Sequence, residues 1–385
     1  MNSFGRLFRF TIFGESHGSG VGIVIDGVPA GLPIDKEALQ HDLDRRRPGQ
    51  SRFTTARKEP DRFNILSGVL RGRATGAPLT IGIGNSDARS RAYDDVRVLP
   101  RPGHADWTAH VRYGGWNDFR GGGHFSGRLT APVVACGSIA KSILRAHGVR
   151  VGAHLLQVAD LAGEANRTTV EAMDETTETN PFKTAMPDLV APWTELLDEA
   201  RGARDSLGGV VEFRAEGLPV GVGEPWALPV ESHLAQLLFA IPAVKGVSFG
   251  AGFQAARMLG SEHNDSYDPD ADAPGGMRPR TNHAGGILGG LTTGAPVWGR
   301  VAIKPTSSIF QAQDSVDLAT GEARSLELKG RHDPLIAIRA VPVVESAAAI
   351  ALTDLLAQHL AGRGLRSPFA DRTVDSEGDE ATDET

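Results

Sequence analysis

The sequence predicts an α+β protein made of two similar halves, each a β-sheet with helices. The main observation is an internal repeat, because GVLRGRATGAP at 68–78 matches GILGGLTTGAP at 286–296 at seven of eleven positions. In the same order along the chain, IDGVPAGLPI at 25–34 more weakly echoes FRAEGLPVGV at 213–222. A period of roughly 190–220 residues is too long for a solenoid and indicates duplication, with chance similarity of turns as the alternative. Related halves would place the functional site between them.

The elements follow from the spacing of apolar residues, which alternate in half-buried strands and recur every three or four positions in helices. Residues 163–180 are acidic and rich in threonine, which predicts a surface connection or a loosely held insertion. Residues 261–286 lack apolar periodicity and predict a long functional loop. Strands are predicted near 7–13, 21–27, 62–70, 78–84, 149–157, 208–217 and 297–303, and helices near 35–44, 126–146, 188–204, 231–241 and 342–361.

The chain is predicted to be one domain, 1–368, followed by a disordered acidic tail, 369–385. Inside the domain the pseudo-repeat covers about 7–157 and 209–361. The tail holds seven acidic residues and one arginine, so it carries −6 of the net charge of −7. Such polar, like-charged segments cannot bury enough apolar surface to fold.

The remaining body is close to neutral, with its arginines concentrated in residues 45–128. This excess favours anionic small molecules, and without a basic helix or interleaved aromatic residues it does not indicate nucleic acid. No apolar stretch approaches the ~18 residues of a membrane span, and the N-terminus lacks a signal-peptide core, so no membrane partner is expected. The single cysteine, Cys136, lies in an apolar run, and a reducing, cytoplasmic location is expected.

The stretch from Arg101 to Arg128 concentrates the chemistry of the chain. It contains three histidines, four arginines and three consecutive glycines, Gly121 to Gly123. Ordering glycines costs much backbone entropy, so this run is expected where the backbone must approach another group closely. Ser126 follows and can cap a helix whose exposed N–H groups suit an anion. These features predict a binding loop for a phosphate-bearing ligand, and a flexible surface loop is the alternative.

Two histidines lie in predicted loops beside glycines. Residues 14–18 fit the G-x-S-x-G pattern of serine hydrolases, but only 13 residues precede them, too few for the earlier strands of that fold. The glycines instead expose His17 for acid–base chemistry near neutral pH. His104 precedes Asp106 by two residues, and a nearby carboxylate favours a charged imidazole. Since no His, Cys or Asp residues have zinc spacing, no metal is expected.

Two further loops carry groups that suit anions. Lys304-Pro305-Thr306-Ser307-Ser308 offers a cation and three hydroxyl groups within five residues, which suits phosphate oxygens. Arg331-His332-Asp333-Pro334 places a guanidinium near a carboxylate. Each loop alone is also compatible with ordinary surface chemistry.

The chain resembles the chorismate synthase family along essentially its whole predicted ordered length. Many separated motifs in one order make this resemblance specific. The matching segments are FGESHG at 13–18, LDRRRPG-SR at 43–52, RPGHAD at 101–106, FRGGGHFSGR at 119–128, AVKGVSFG at 243–250, TNHAGGILGG at 281–290, KPTSS at 304–308 and RHDP at 331–334.

The resemblance implies a phosphate lyase of the shikimate pathway, which serves aromatic amino acid biosynthesis. It would convert 5-enolpyruvylshikimate 3-phosphate to chorismate by 1,4-elimination, with reduced FMN required despite no net redox change. The implied fold is a β-α-β sandwich of two similar halves around long helices, usually assembled as a homotetramer. This agrees with the internal repeat.

Roles for individual residues follow from the same resemblance. His17 would protonate the departing phosphate, His104 would protonate the reduced flavin, and Asp333 would assist proton handling at the flavin N5. Arg46 and Arg52 match positions that would hold a nicotinamide phosphate or a substrate anion. FMN would contact His124, Phe125, Ser126, Pro242, Ala243, Gly289, Lys304, Pro305, Thr306, Ser307, Ser308 and Arg331.

Two positions depart from the family pattern. His124 stands where a common form of the family has arginine, and Pro242 stands where asparagine or glutamine is usual. Two other functions are alternatives: a flavin- or phosphate-binding protein without catalysis, and an NADPH:flavin reductase. The retained His17, His104 and Asp333 disfavour the first, and the absence of a G-x-G-x-x-G fingerprint disfavours the second. Whether the enzyme reduces FMN with NADPH or uses external reductant stays open.

Overall fold

The structure is a computed structural model of the chain. It describes residues 2–49, 53, 59–85, 97–328 and 333–363. The predictions made for Arg52, Arg331 and the tail at 369–385 concern residues outside these ranges.

An antiparallel sheet of five strands forms the first half. The buried face of its central strands carries branched apolar residues at every second position, such as Val21, Ile23 and Ile25. The strand order is β1-β2-β3-β7-β4, and β5 pairs with β6 in a separate hairpin. The strands are β1 (Ser3–Phe4), β2 (Arg9–Gly14), β3 (Gly20–Asp26), β4 (Phe63–Ser67), β5 (Val69–Leu70), β6 (Arg73–Ala74) and β7 (Leu79–Gly84).

A second antiparallel sheet of five strands forms the other half. Its strand order is β9-β8-β10-β16-β11, and three further pairs of strands form small hairpins. The strands are β8 (Arg150–Val158), β9 (Leu161–Ala162), β10 (Gly209–Glu216), β11 (Val244–Phe249), β12 (Tyr267–Pro269), β13 (Met277–Pro279), β14 (Ile287–Leu288), β15 (Leu291–Thr292), β16 (Val297–Ile303), β17 (Gln313–Val316) and β18 (Ala323–Leu326).

The stronger sequence repeat forms the same local structure in both halves. The β5–β6 hairpin precedes β7, and the β14–β15 hairpin precedes β16. Each hairpin ends with the same bond, since Thr75 N donates to Gly68 O at 3.0 Å and Thr293 N donates to Gly286 O at 3.0 Å. The prediction of two similar sheet-plus-helix halves is therefore confirmed.

The weaker repeat has a different register from the one read in the sequence. Gly31 N donates to Ala74 O at 2.8 Å, and Gly221 N donates to Thr292 O at 2.8 Å. Gly31 therefore corresponds to Gly221, whereas aligning 25–34 with 213–222 would pair it with Pro219. Backbone bonding to the neighbouring hairpin decides this equivalence, and the sequence alignment could not detect it.

Helices fill the space between the two sheets. The long helix of the first half contacts β3 and β7, that of the second half contacts β8 and β10, and the two contact each other. They approach closely at Gly137, where a Cβ atom would lie 2.2 Å from Ser346 Cβ. The layers therefore form the predicted β-α-β sandwich. The helices are α1 (Lys36–Arg46), α2 (Asp106–Arg112), α3 (Thr130–Ala146), α4 (Val170–Thr176), α5 (Val190–Gly202), α6 (Val230–Leu238), α7 (Gly260–His263) and α8 (Ala337–Arg363).

A buried ion network joins α1, α3 and α8. Arg45 of α1 donates through both terminal nitrogens to Glu345 of α8, at 2.9 Å each. Lys141 of α3 also bonds Glu345, and it donates to Asp42 of α1 at 2.8 Å. Burial raises the pKa of Glu345, but Arg45 and Lys141 outweigh it and lower that pKa to about 2. The network fixes the three helices relative to one another.

The last helix also holds the start of the chain. Asp354 of α8 accepts backbone N–H groups from Arg6, Leu7 and Phe8, at 3.0, 2.7 and 2.9 Å. Its other oxygen lies 3.0 Å from His233 Nε2 on α6. Burial raises the pKa of Asp354, but these partners keep it below its ordinary value. The bonds position β1, whose residues face the cavity described below.

Two helical stretches, Gly127–Ala146 and Ala337–Gly362, are long and apolar enough to span a membrane by length and composition alone. The expectation that no stretch reaches that length was wrong. Most of their apolar windows, 83% and 89%, are buried inside the protein. Here the apolar composition serves the core between the sheets.

Several element boundaries differ from the predictions for identifiable reasons. Residues 163–180 include the helix α4, whose N-terminus is capped by Thr169. Its two large apolar residues, Val170 and Met173, are buried, and they suffice to hold one face of this seven-residue helix against the protein. Helix α8 begins a turn before Pro342, although proline favours a helix start. The loop at 261–286 contains α7 and the β12–β13 hairpin.

Candidate active site

A cavity of about 1060 Å³ lies between the two halves. Its walls come from β1 and β2, from the loops around His104 and the glycine run, from the residues after α6, and from the start of α8. Cationic side chains dominate its charged lining, which comprises Arg46, Arg101, Arg128, Lys245, Lys304, Arg339, Glu59 and Asp333. This position between the halves is the one that the internal repeat predicts.

The three glycines form a tight loop with left-handed backbone. Gly121 has φ +59° and Gly122 has φ +82°, conformations that favour glycine. A Cβ on Gly121 would lie 2.4 Å from His17 Cδ2, and one on Gly122 would lie 3.0 Å from His104 Cε1. The predicted close approach is therefore made to the two histidines. Ser126 then accepts a bond from Arg128 N at 3.3 Å and caps the short 3-10 turn before α3.

His104 is oriented by a carboxylate and a guanidinium. Its Nδ1 lies 2.7 Å from Asp106 Oδ1, and Arg101 binds the same carboxylate through Nε at 2.7 Å and Nη2 at 2.8 Å. Burial raises the pKa of Asp106, but bonds from Arg101 and His104 hold it well below its ordinary value. An ionised Asp106 fixes the imidazole with Nδ1 as the donor and leaves Nε2 beside Gly122.

His17 lies behind the glycine loop. It is buried, 7% exposed, and its ring contacts the backbone of Gly121, which lines the cavity. His17 itself is not one of the described residues that line the cavity. The structure thus brings His17 to the outer side of the cavity wall and not into the lumen.

His124 lines the cavity and is held by two oxygen atoms. Its Nδ1 lies 3.0 Å from Gly14 O, and its Nε2 lies 3.1 Å from Asn2 Oδ1. A carbonyl oxygen only accepts, so Nδ1 must carry a proton. The N-terminal segment, which Asp354 also holds, thereby reaches His124 in the cavity wall.

Arg46 and Arg128 meet at one buried carboxylate. Asp61 accepts a bond from each, while Arg128 also donates to Asn85 Oδ1 at 2.9 Å and to Gly84 O at 2.9 Å. Burial raises the pKa of Asp61, but the two arginines lower it below its ordinary value. Burial lowers the pKa of Arg46 to about 10, although Asp61 raises it. Both arginines line the cavity from fixed positions.

Asp333 also lines the cavity, four residues before the start of α8. Its carboxylate accepts a bond from Arg339 at 2.6 Å, and its backbone oxygen accepts one from Thr306 at 2.8 Å. Arg339 donates further to Arg46 O at 3.1 Å. These bonds connect Asp333, the arginines and the hydroxyl-bearing loop at 304–308.

The loop at 304–308 lines the cavity along its whole length. Lys304 donates to Gly103 O at 2.8 Å, next to His104. Burial, and then the charge of Lys245, lower the pKa of Lys304. Ala243 accepts from Lys304 N at 3.0 Å with φ +73°, a strained backbone of the kind that occurs at functional sites.

Most of the predicted residues converge on this cavity. Gly289 does not, because it lies in the exposed turn of the β14–β15 hairpin, away from the described lining, with open space around its Cα. The predicted site residues that do line the cavity are Arg46, His104, His124, Phe125, Ser126, Pro242, Ala243, Lys304, Pro305, Thr306, Ser307, Ser308 and Asp333.

Sequence reasoning missed Asp61, Arg339 and Glu59 as parts of the site. Asp61 follows Glu59-Pro60 and has φ +46°, while Arg339 lies in the first turn of α8. Only their long-range partners reveal them, although charged residues inside an apolar helix are a usable signal for Arg339. In the described part of the chain, no three His, Cys, Asp or Glu residues group as metal ligands.

Comparison with known proteins gives a consistent result. The family model described as chorismate synthase matches residues 8–357. A chorismate synthase of Chitinophaga pinensis is 48% identical over 356 residues, covering 92% of this chain and 96% of that protein. One of Methanosarcina mazei is 45% identical over 367 residues, covering 95% and 98%.

A solved structure extends the comparison to the fold. The crystal structure of a chorismate synthase superposes with a TM-score of 0.73 at 28% sequence identity, covering 92% of this chain and 93% of that one. Fold and cavity together define a protein of two similar halves with a cation-lined site for an anionic small molecule between them. The chain belongs to the chorismate synthase family. It is accordingly a phosphate lyase of the shikimate pathway, which forms chorismate from 5-enolpyruvylshikimate 3-phosphate.

Proposed function

We propose that the cavity between the halves binds reduced FMN and 5-enolpyruvylshikimate 3-phosphate together, and that the 1,4-elimination of phosphate takes place there. One observation carries this proposal: His104, the arginines and the loop at 304–308 all face one cavity. Ligand pockets usually measure about 300–1,000 Å³. A volume of about 1060 Å³ has room for two ligands side by side.

The residues present fit a flavin phosphate. Lys304 supplies a cation, and Thr306, Ser307 and Ser308 supply hydroxyl groups along one wall. His124, Phe125 and Ser126 line the wall formed by the glycine loop, and Pro242 and Ala243 line a third side. Bound reduced FMN would supply electron density to the reacting ring of the substrate.

His104 is proposed to hold a proton for the flavin. Asp106 binds Nδ1, while Nε2 lies on the side of the glycine loop, 3.3 Å from Arg101 Nη2. Arg101 donates to the same carboxylate and fixes its orientation. Asp333 is proposed to assist proton handling at the flavin N5, and Arg339 orients its carboxylate.

His17 is proposed as the acid for the departing phosphate. Its ring lies beside Gly121, which lines the cavity, and glycine lacks the side chain that would clash with the ring. Arg46 is proposed to bind an anion of the substrate or of a nicotinamide phosphate, and Arg52 to share that role. The phosphate would then leave toward arginine and histidine together, which stabilises its developing charge.

The remaining properties are proposals drawn from the family. We propose a homotetramer in the cytoplasm, without nucleic-acid or membrane partners and with NADPH as a possible reductant. Large exposed apolar side chains support burial in an assembly, for example Trp116, Trp226 and Phe253, at 93%, 98% and 90% exposure.

An anaerobic assay tests the function. With dithionite-reduced FMN and 5-enolpyruvylshikimate 3-phosphate, chorismate absorbance should rise, and with oxidised FMN it should not. Replacing dithionite by NADPH asks whether the protein reduces its own flavin. Absence of chorismate with fully reduced FMN would contradict the proposed function.

A further inference from the structure

Asp61 is an unusual residue at the edge of the active site. Its side chain is 0% exposed, and its backbone has φ +46°. Residues with a Cβ rarely adopt this conformation, although aspartate tolerates it better than most. A strained, fully buried carboxylate persists where its surroundings hold it in place.

Its two oxygens bind two different arginines. Oδ2 accepts from Arg46 Nη2, on α1, and Oδ1 accepts from Arg128 Nη1, on the 3-10 turn after the glycine loop. Both arginines line the cavity, and Asp61 itself lies behind them, outside the described lining. One carboxylate therefore sets the orientation of two guanidinium groups that come from distant parts of the sequence.

The charges of these three residues do not balance. The trio carries two positive charges and one negative charge, and its side chains are at most 4% exposed. Within the described part of the chain, the buried Arg46 Nε has no hydrogen-bond partner. A buried excess charge is costly unless an opposite charge compensates it. An anion in the cavity would supply that charge.

We propose that Asp61 is a positioning residue that holds Arg46 and Arg128 as a preformed pair for an anionic group of the substrate. This inference rests on the proposed function of the same cavity. It goes beyond the arginines themselves, because it assigns their geometry to a carboxylate that the substrate does not touch.

A second role for Asp61 makes the opposite prediction. If the carboxylate only neutralises the arginines, it competes with the substrate anion, and removing its charge should tighten anion binding. If it positions them, removing its charge should weaken binding, since the guanidiniums would repel each other and turn away. The direction of the change therefore separates the two roles.

The experiment uses two substitutions of Asp61 and one matched control in the full chain. D61N keeps the shape and removes the charge, and D61E keeps the charge and moves the carboxylate by one methylene group. E345Q is the control, because Glu345 is also a buried carboxylate shared by two cations, Arg45 and Lys141, which do not line the described cavity.

The readouts are the dissociation constant of inorganic phosphate by calorimetry, the KM and kcat for 5-enolpyruvylshikimate 3-phosphate, and the melting temperature. We expect D61N and D61E each to weaken phosphate binding and raise KM by about tenfold to a hundredfold, the range typical of a charge-assisted contact. E345Q should lower the melting temperature and leave both binding values within about twofold of wild type.

Tighter phosphate binding in D61N, or wild-type KM values in both Asp61 variants, would overturn the inference. If D61N does not fold, the KM and phosphate affinity of D61E separate the two roles. A carboxylate that only neutralises the arginines tolerates an added methylene group, whereas one that positions them does not. An inactive wild-type protein would instead contradict the proposed function, so the two failures are distinguishable.

Discussion

At the scale of single residues, His17 and His104 lie in different surroundings at the cavity wall. His104 is held by Asp106 at 2.7 Å and faces the cavity, whereas His17 is buried against Gly121. They contact neighbouring glycines of one loop, yet their surroundings differ in charge and exposure. Each should therefore serve a different proton acceptor.

Replacing either histidine should slow the reaction strongly. Removal of one positioned acid typically costs roughly 10²–10⁴ in rate, so His17→Ala and His104→Ala should each lose about that factor in kcat. The control is His147→Ala, at the exposed end of α3, which should keep its rate. Stopped-flow measurement under reducing conditions follows the turnover.

The same measurement separates the two roles. His104→Ala should change the absorbance of the reduced flavin, and His17→Ala should leave it unchanged while slowing phosphate release. Wild-type turnover in both variants would make the histidines structural and place the proton donors elsewhere.

At the scale of elements, the glycine loop is the part of the site that tolerates least change. Gly121 and Gly148 both have positive φ, at +59° and +76°, so alanine strains both backbones. Their surroundings differ, because a Cβ on Gly121 would lie 2.4 Å from the His17 ring, whereas one on Gly148 has no heavy atom within 4 Å.

Gly121→Ala should therefore reduce activity far more than Gly148→Ala. We expect both to lose roughly 1 kcal/mol or more of stability from backbone strain. Only Gly121→Ala should also lose about tenfold or more in kcat, because it displaces His17. Equal kcat values in the two variants, at matched fraction folded, would show that the loop does not position the histidine.

The elements also show what local sequence can predict. Strands β2, β3, β7 and β16 were predicted within about two residues, since alternation of apolar residues is a local signal. The start of α8 and the existence of α4 were not, because contacts with the sheets outweigh the weak local preferences. In the site, motifs identified His104 and the loop at 304–308, while Asp61 becomes visible only through partners distant in sequence.

At the scale of the whole molecule, α3 and α8 form a layer that both sheets share. We propose on this basis that residues 1–368 behave as a single domain, since neither sheet can keep its core if the other unfolds. The ion network of Arg45, Lys141 and Glu345 lies in this shared layer. Its protonation should therefore affect the stability of the whole protein.

Stability should fall in acid through Glu345. Its pKa in the folded protein is about 2, below the ordinary value of 4.5, so the unfolded chain binds the proton more readily. The contribution of ionised Glu345 to the free energy of unfolding is therefore present above pH 4.5 and is lost as the pH falls toward 2. Urea unfolding at several pH values should show this decline.

E345Q tests the assignment. It should be less stable than wild type near neutral pH, because it leaves Arg45 and Lys141 without their shared charge. Its unfolding free energy should then decline less steeply between pH 4.5 and 2. Parallel curves for the two proteins would assign the acid sensitivity to other carboxylates.

The bonds from Asp354 to Arg6, Leu7 and Phe8 have a consequence for synthesis on the ribosome. They join residues almost 350 positions apart, and they hold the segment from which Asn2 reaches His124. A nascent chain cannot make them until α8 has left the exit tunnel. The first half can form its sheet early, but the anchor of its N-terminal segment, and with it this wall of the cavity, is complete only after α8 has emerged.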